Sequence, residues 1–329
     1  MNPATMLSFA TKTAAALLLA GCLVPTGAAL ASGSSGASNS DAAIHLALPA
    51  STAVYGLRQA AVPSSLQSFT ETIVSELSKQ DSFQDWKDAG ISYDPLGPGT
   101  HSWLVTVSRD GKPVGYLFLT STDDGNYMLS EYGREDAMPF NAQALREQLK
   151  ERGILGPGSK LAAGSNVEAR YFTLLPVWKI TLPGKSTIYL HAITGEELPV
   201  PSGREKAPLG GLASRKGLHL TSTMLPKQQR TSDPYDNLLW LQSPKLSLTG
   251  SQDLLQAMRN GRSSLVFTSP GRNADFGAPF VVNGLHAWQV AGIGKETLYA
   301  ATGPNGTRFL PASELMARGE FRSLNVSYL

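Results

Sequence analysis

The sequence predicts an α+β protein built on antiparallel sheet. Short runs alternate apolar with polar side chains, as in Trp103–Ser108. Asp-Gly and Pro-Gly pairs separate such runs at hairpin distance. Only a few stretches carry helical spacing, and Pro- and Gly-rich segments divide the chain into two expected domains. Hydrophobic residues make up 42% of the 329, enough for packed cores and too few for a membrane-embedded protein.

Residues 1–31 read as an export signal. Lys12 is the only charge before the apolar run Thr13–Ala20, which falls short of the ~20 residues a spanning helix needs. Two processing sites are intact. Leu19-Ala20-Gly21-Cys22 matches a lipobox, in which Cys22, the only cysteine, is acylated; Ala29-Leu30-Ala31 matches an ordinary small-x-small cleavage site. The Gly/Ser-rich stretch Ser32–Ser40 suits a flexible tether, and residues 32–62 read as linker with a short strand at 43–48. The expected location is outside the cytoplasm, either anchored through Cys22 to the membrane surface or secreted.

From residue 63 to 198 the spacing predicts one helix and then a sheet. Leu66, Phe69, Ile73, Val74 and Leu77 recur at helical intervals after Ser65, and the helix ends near Lys79. Asp94–Gly99 reads as a boundary. Trp103–Ser108 and Val114–Leu119 form a hairpin about Asp110-Gly111, and Asp123–Asn126 turns the chain into Tyr127–Tyr132. Asn141 caps a helix closed by Gly153. Ala169–Leu174, Val177–Thr181 and Thr187–His191 follow as strands. Alternation puts Trp178, Ile180, Ile188 and Leu190 on one face and Tyr189 and His191 on the other, or shifted by one if the Pro183-Gly184 turn bulges.

Residues 199–232, rich in Pro and Gly at their start, read as an interdomain linker. A second domain is expected over 233–329. Its helix is Ser251–Arg259, closed by Asn260-Gly261; its strands are 264–268, 278–282, 286–292 and 297–301; its last helical turn is 310–316.

Two resemblances attach to these segments. Val177-Trp-Lys-Ile-Thr-Leu followed by Ile188-Tyr-Leu-His-Ala-Ile-Thr-Gly-Glu-Glu resembles the end of a PepSY or cystatin-like module, over roughly 103–198. That resemblance implies an exported inhibitory or pro-domain-like unit. The order helix, Asn260-Gly-Arg, strand, Gly284-Leu-His286, strand, then Pro311-Ala-Ser-Glu-Leu resembles the C-terminal half of bacterial papain-fold peptidases of the bacteriocin-processing type, over roughly 250–320. It implies His286 as the vestige of a catalytic base. The orienting carboxylate position falls on Gly303, and no cysteine follows residue 22 to serve as nucleophile. A thiolate needs a base, and the base needs an orienting acceptor; only one of the three is present.

Other chemistry finds little footing. Ser243, Ser247 and Ser251 lack a Gly-x-Ser-x-Gly elbow, and Ser251 suits a helix cap. Asp275 is near enough in sequence to be a replacement acceptor for His286. His45, His101, His191, His219 and His286 are scattered without metal-ligand spacing. Asp123–Asn126 lacks the closing glutamate of a calcium loop and reads as a turn. Lys plus Arg number 28 against 26 Asp plus Glu, without a basic block, so nucleic acid is not an expected partner. No cofactor and no metal are expected. Tyr235, Trp240, Trp288 and Tyr299 are the candidate binding surface, for a protein, peptide or glycan ligand.

The expected function is a non-catalytic binding protein of the envelope or the extracellular space. The alternatives are a cryptic hydrolase centred on His286 and a purely structural envelope lipoprotein.

Overall fold

The computed structural model describes residues 61–97, 101–156, 158, 160–172, 174–199, 211–225, 233–236, 238–259, 264–303 and 307–324. The expected export signal with Cys22, the expected strand at 43–48 and the expected Asn260-Gly261 helix end lie outside them.

Helix α1 (Ser64–Leu77) buries Leu66, Phe69, Ile73 and Leu77, the stripe its spacing predicts. A 3₁₀ turn, Asp81–Trp86, then drives Phe83 and Trp86 inward. Four antiparallel strands follow: β1 (Gly90–Leu96), β2 (Ser102–Arg109), β3 (Lys112–Ser121) and β4 (Tyr127–Arg134). Asp110 and Gly111 both take positive φ, the geometry of the tight hairpin their sequence promises. Asp94-Pro95, expected to mark a boundary, lies instead within β1. That strand is at the end of its sheet, where a proline costs no ladder bond.

Helix α2 (Ala142–Glu151) starts as expected at Asn141, whose side-chain oxygen accepts from the Ala144 amide at 2.9 Å, and Gly153 follows at φ 65°. Strands β5 (Asn166–Phe172), β6 (Leu175–Thr181), β7 (Ile188–His191) and β8 (Glu197–Leu198) form a separate four-stranded antiparallel sheet. Trp178 pairs with Leu190 and Ile180 with Ile188; these four share one face and one core with Leu145 and Leu149 of α2. Tyr189 packs on the opposite face with Val177 and Leu198.

The remaining elements are β9 (Leu212–Ala213), β10 (Leu218–Met224), α3 (Ser251–Arg259), β11 (Leu265–Thr268), α4 (Asn273–Phe276), β12 (Phe280–Val290), β13 (Ile293–Thr302), β14 (Arg308–Pro311), α5 (Ala312–Arg318) and β15 (Glu320–Ser323). The segments 278–282 and 286–292, expected as two strands, merge into β12. Its pairing with β13 shifts register between Val282 and Gly284 and again between Gln289 and Val290, while the strand runs on unbroken.

These strands do not make a second domain. The main sheet runs β1-β2-β3-β4-β14-β13-β12-β11-β15, with β9 on β4 and β10 on β12. Its centre joins β4 to β14 through Arg308 opposite Gly133 and Phe309 opposite Tyr132, across the expected linker. The 199–232 segment itself supplies β9 and β10. The division at 199–232 is therefore corrected: one antiparallel sheet takes strands from both sides of it, and the class is α+β.

One face of this sheet closes over α1 and the Asp81–Trp86 turn, burying Val105, Leu117, Tyr132, Trp288, Tyr299 and Phe309 with them. The opposite face of β2 and β3 packs on the small sheet and α2 through Leu104, Tyr116, Phe118, Tyr171 and Trp178. At the far end α3 and α5 cover β11–β13.

Candidate functional site

His286 lies in β12, opposite Tyr299 on β13 and Thr223 on β10, and is fully buried. Its ring stacks on Phe309, with centroids 4.2 Å apart, and Phe83 and Tyr132 close the cage. The Trp288 indole can only donate, and it donates to the Tyr132 hydroxyl at 3.2 Å. That hydroxyl also shares a hydrogen bond with His286 Nδ1, 2.7 Å away. The other ring nitrogen, Nε2, is buried with no hydrogen-bond partner. Burial pushes the His286 pKa down to about 3.

The catalytic roles around it are empty. Asp275, the conceivable orienting acceptor, pairs with Arg272 at 3.1 Å instead. Gly303 occupies a positive-φ turn after β13. The Ser243 hydroxyl is buried without a hydrogen-bond partner, so it is not activated by a base. A general base must reach both an orienting acceptor and a proton to abstract. The hydrogen-bond partner of His286 is the buried Tyr132 hydroxyl, and no carboxylate is hydrogen-bonded to it among the described residues.

The candidate binding surface needs correction. Trp288 and Tyr299 are 0% exposed and Trp240 is 3% exposed, so none of the three lines an open surface. Trp288 and Tyr299 point from β12 and β13 into the core beneath α1. The Tyr299 hydroxyl is also committed: it donates to the Leu129 carbonyl and accepts from the Leu212 amide at 2.8 Å. Trp240 plugs against Val266, Val281 and Leu324 and donates to the Pro234 carbonyl at 2.7 Å.

Tyr235 alone of the four is open, at 64% exposure, and it has company that the sequence reading missed. The 3₁₀ turn Leu238–Gln242 displays Leu238, Leu239 and Leu241 at 53, 44 and 54% exposure. At about three residues per turn, Leu238 and Leu241 fall on one side, Leu239 beside them, and Trp240 inward as the anchor. The backbone is tied down: Arg322 donates to the carbonyls of Leu241 and Ser243, and the Asp233 carboxylate accepts from the Tyr235 amide at 2.8 Å. The result is a fixed apolar knuckle. Its sequence signal was the run Leu238-Leu-Trp-Leu241, four apolar residues with no alternation.

A second polar centre is wholly internal. Glu131, on β4 and fully buried, accepts from Arg308 Nε at 2.7 Å and Nη2 at 3.0 Å, from the Tyr116 hydroxyl at 2.7 Å and from the Tyr171 hydroxyl at 3.0 Å. Arg308 also donates to the Leu174 carbonyl at 2.6 Å. Burial works against the guanidinium charge, but the Glu131 carboxylate beside it holds the Arg308 pKa above its ordinary value. Burial, and then Arg308, push the nearby His191 down to about 3. Every carboxylate oxygen is matched to a donor, and the group joins main sheet to small sheet; its chemistry is cohesion, not proton transfer.

The Asp123–Asn126 turn borders a shallow depression of about 440 Å³ with Ser214 and Arg215. Asp124 is spent within the turn. Its carboxylate accepts from the Thr122 hydroxyl and, at 2.9 Å, from the Asn126 side chain, which together lower its pKa to about 2. Among the described residues no three His, Cys, Asp or Glu side chains gather to hold a metal, and no helix is long and apolar enough to cross a membrane. Comparison with family models, curated proteins and solved structures finds no match for the chain.

Proposed function

We propose that this chain is an exported, non-catalytic protein of the cell envelope that works by binding, with the knuckle at Tyr235 and Leu238–Leu241 as its contact surface. The observation that carries the reading is the display of three leucines on a 3₁₀ turn anchored by the buried Trp240, with Tyr235 exposed in the segment before it. Apolar side chains fixed outward in a patch mark interaction sites. The sealed, neutral state of His286 supports the non-catalytic half of the reading, against a cryptic hydrolase centred on it. The packing of α2 on β5–β7 is compatible with a PepSY-like unit over that part of the chain. The papain-like reading rests on element order alone.

Two measurements test this. Peptide and glycan arrays probed with the purified chain are expected to yield ligands whose binding falls at least tenfold in Leu238→Asp. Esterase and peptidase assays are expected to stay at background. A hydrolytic activity lost in His286→Ala, with the fold intact, would replace this reading by the hydrolase one. Binding unaffected by Leu238→Asp would move the contact surface elsewhere.

A further inference from the structure

We infer that β1 is an assembly edge: Ile91 and Tyr93 of one chain pair antiparallel with Tyr93 and Ile91 of a second copy, joining the two main sheets. The inference is independent of the knuckle at Tyr235 and Leu238–Leu241.

The main sheet is closed at one end and open at the other. Beyond β15, the Leu246 amide donates to the Phe321 carbonyl at 2.9 Å and Lys245 bridges Arg322. Beyond β1, no strand pairs among the described residues, and no backbone bond outside the ladder to β2 reaches residues 90–95. An unpaired row of N–H and C=O groups is a template for another strand. Other strands at sheet ends are guarded. β10 bulges between Leu220 and Ser222, and its Thr223 hydroxyl donates to Gln80 at 3.0 Å. β8 has only two residues, and β5 is buried over most of its length. β1 instead pairs with β2 through seven residue pairs without a register shift, and its Gly90 and Ser92 are exposed.

The edge is complementary to itself. A proline stands in an edge strand with its nitrogen turned away from the ladder. Ile91 and Tyr93 share the parity of Pro95, so their N–H and C=O groups face outward too. Their side chains pack toward the core beneath α1, while Leu96, of the other parity, packs toward the small sheet. A two-fold axis perpendicular to the sheet keeps each face on its own side, so residues of like parity must stand opposite one another. Centring the axis on Ser92 sets Ile91 against Tyr93 twice, a β-branched residue against an aromatic, each pair exchanging both backbone bonds. The same register sets Asp94 against Gly90, which has neither charge nor side chain. Centring on Ile91 would oppose Asp94 to Asp88, and centring on Tyr93 would oppose Ile91 to Pro95, which has no N–H to give. Asp94 and Pro95 thus close the far end of the edge and leave one register for the second copy.

Light scattering and hydrogen exchange on the full chain across a concentration series test this. A dimer is expected to form as concentration rises, with the Ile91 and Tyr93 amides exchanging about tenfold more slowly in it. Ile91→Pro removes an outward N–H without touching the ladder to β2, and should leave a monomer with exchange in β3 and β4 as in the parent. Crosslinking reads the register without relying on that variant. With Cys22→Ser removing the only natural cysteine, Ser92→Cys should give a disulfide-linked dimer under diamide. Its two Cα atoms would lie about 4.5 Å apart, within disulfide reach. Asp94→Cys should not crosslink, since its copies would lie roughly 14 Å apart. A chain that stays monomeric at every concentration would overturn the inference. So would crosslinking through Asp94→Cys in place of Ser92→Cys, or a dimer that Leu238→Asp dissolves and Ile91→Pro leaves intact.

Discussion

His286 and His191 show how burial converts a titratable ring into a packing unit. Both are held near pKa 3, against about 6.5 in an unfolded chain. Above pH 6.5 both states are neutral and the two histidines add no pH dependence. Between 6.5 and 3 the unfolded chain takes up protons that the folded one refuses, so stability falls as pH drops through that window and levels off below it. Each ring can contribute at most ~5 kcal/mol to that loss. Urea unfolding at pH 7, 5.5 and 4.5 should show the decline, and His286→Gln should remove part of its slope; a flat profile would mean that neither ring is sealed as described. Gly133 makes a different point at the same scale. A Cβ there would lie 2.4 Å from the Tyr116 ring, which is pinned by its bond to Glu131 and cannot swing away. Gly133→Ala is expected to cost ~1–3 kcal/mol, read as a lower urea midpoint.

Between elements, the Glu131–Arg308 pair bridges β4 and β14 and reaches the small sheet through Tyr171 and Leu174. Removing one partner strands a charge in the core. Arg308→Met should therefore cost ~3–5 kcal/mol, and adding Glu131→Gln should recover part of that loss. Thermal melts of both single variants and the double variant check this; losses that simply add in the double variant would show that the pair is not coupled. Trp178→Ala, beneath α2, should cost a comparable ~3–5 kcal/mol. Elements of this kind were legible to different degrees. The β2–β3 hairpin and α2 could be read because Asp110-Gly111, Asn141 and Gly153 act locally, through turn and cap chemistry written beside them. Glu131 could not, since a lone carboxylate in a strand reads as solvent-facing and its partner lies 177 residues away. Strands β10, β14 and β15 were missed for the same reason: each is defined by a distant neighbour, and two of them are only four residues long. The knuckle was half read. Tyr235 and Trp240 were singled out as aromatics, but a tryptophan's burial is decided by the sheet it plugs, and the exposure of the leucines around it followed from that.

For the whole molecule, composition suggested two domains about residues 199–232, and the sheet contradicts it. A Pro/Gly-rich stretch shows where the chain leaves regular structure, not where the core ends. Here β4 lies between β3 and β14, and its remaining neighbour, β9, comes from the expected linker itself. Without residues beyond 205, β4 would lose β9 and β14, and Tyr132 would lose Phe309, Trp288, Tyr299 and His286. Without residues before 205, β14 would present an unpaired edge, Arg308 would be left without Glu131, and His286 without Tyr132 and Phe83. Neither half retains a closed core, so unfolding should be cooperative across the described residues. A single urea transition is expected, with fluorescence and far-UV circular dichroism coincident. Chains cut between 200 and 210 should keep the halves associated, and residues 1–205 expressed alone should lack a cooperative transition. Two separated transitions, or cooperative unfolding of either half by itself, would show that the sheet does not unite them energetically.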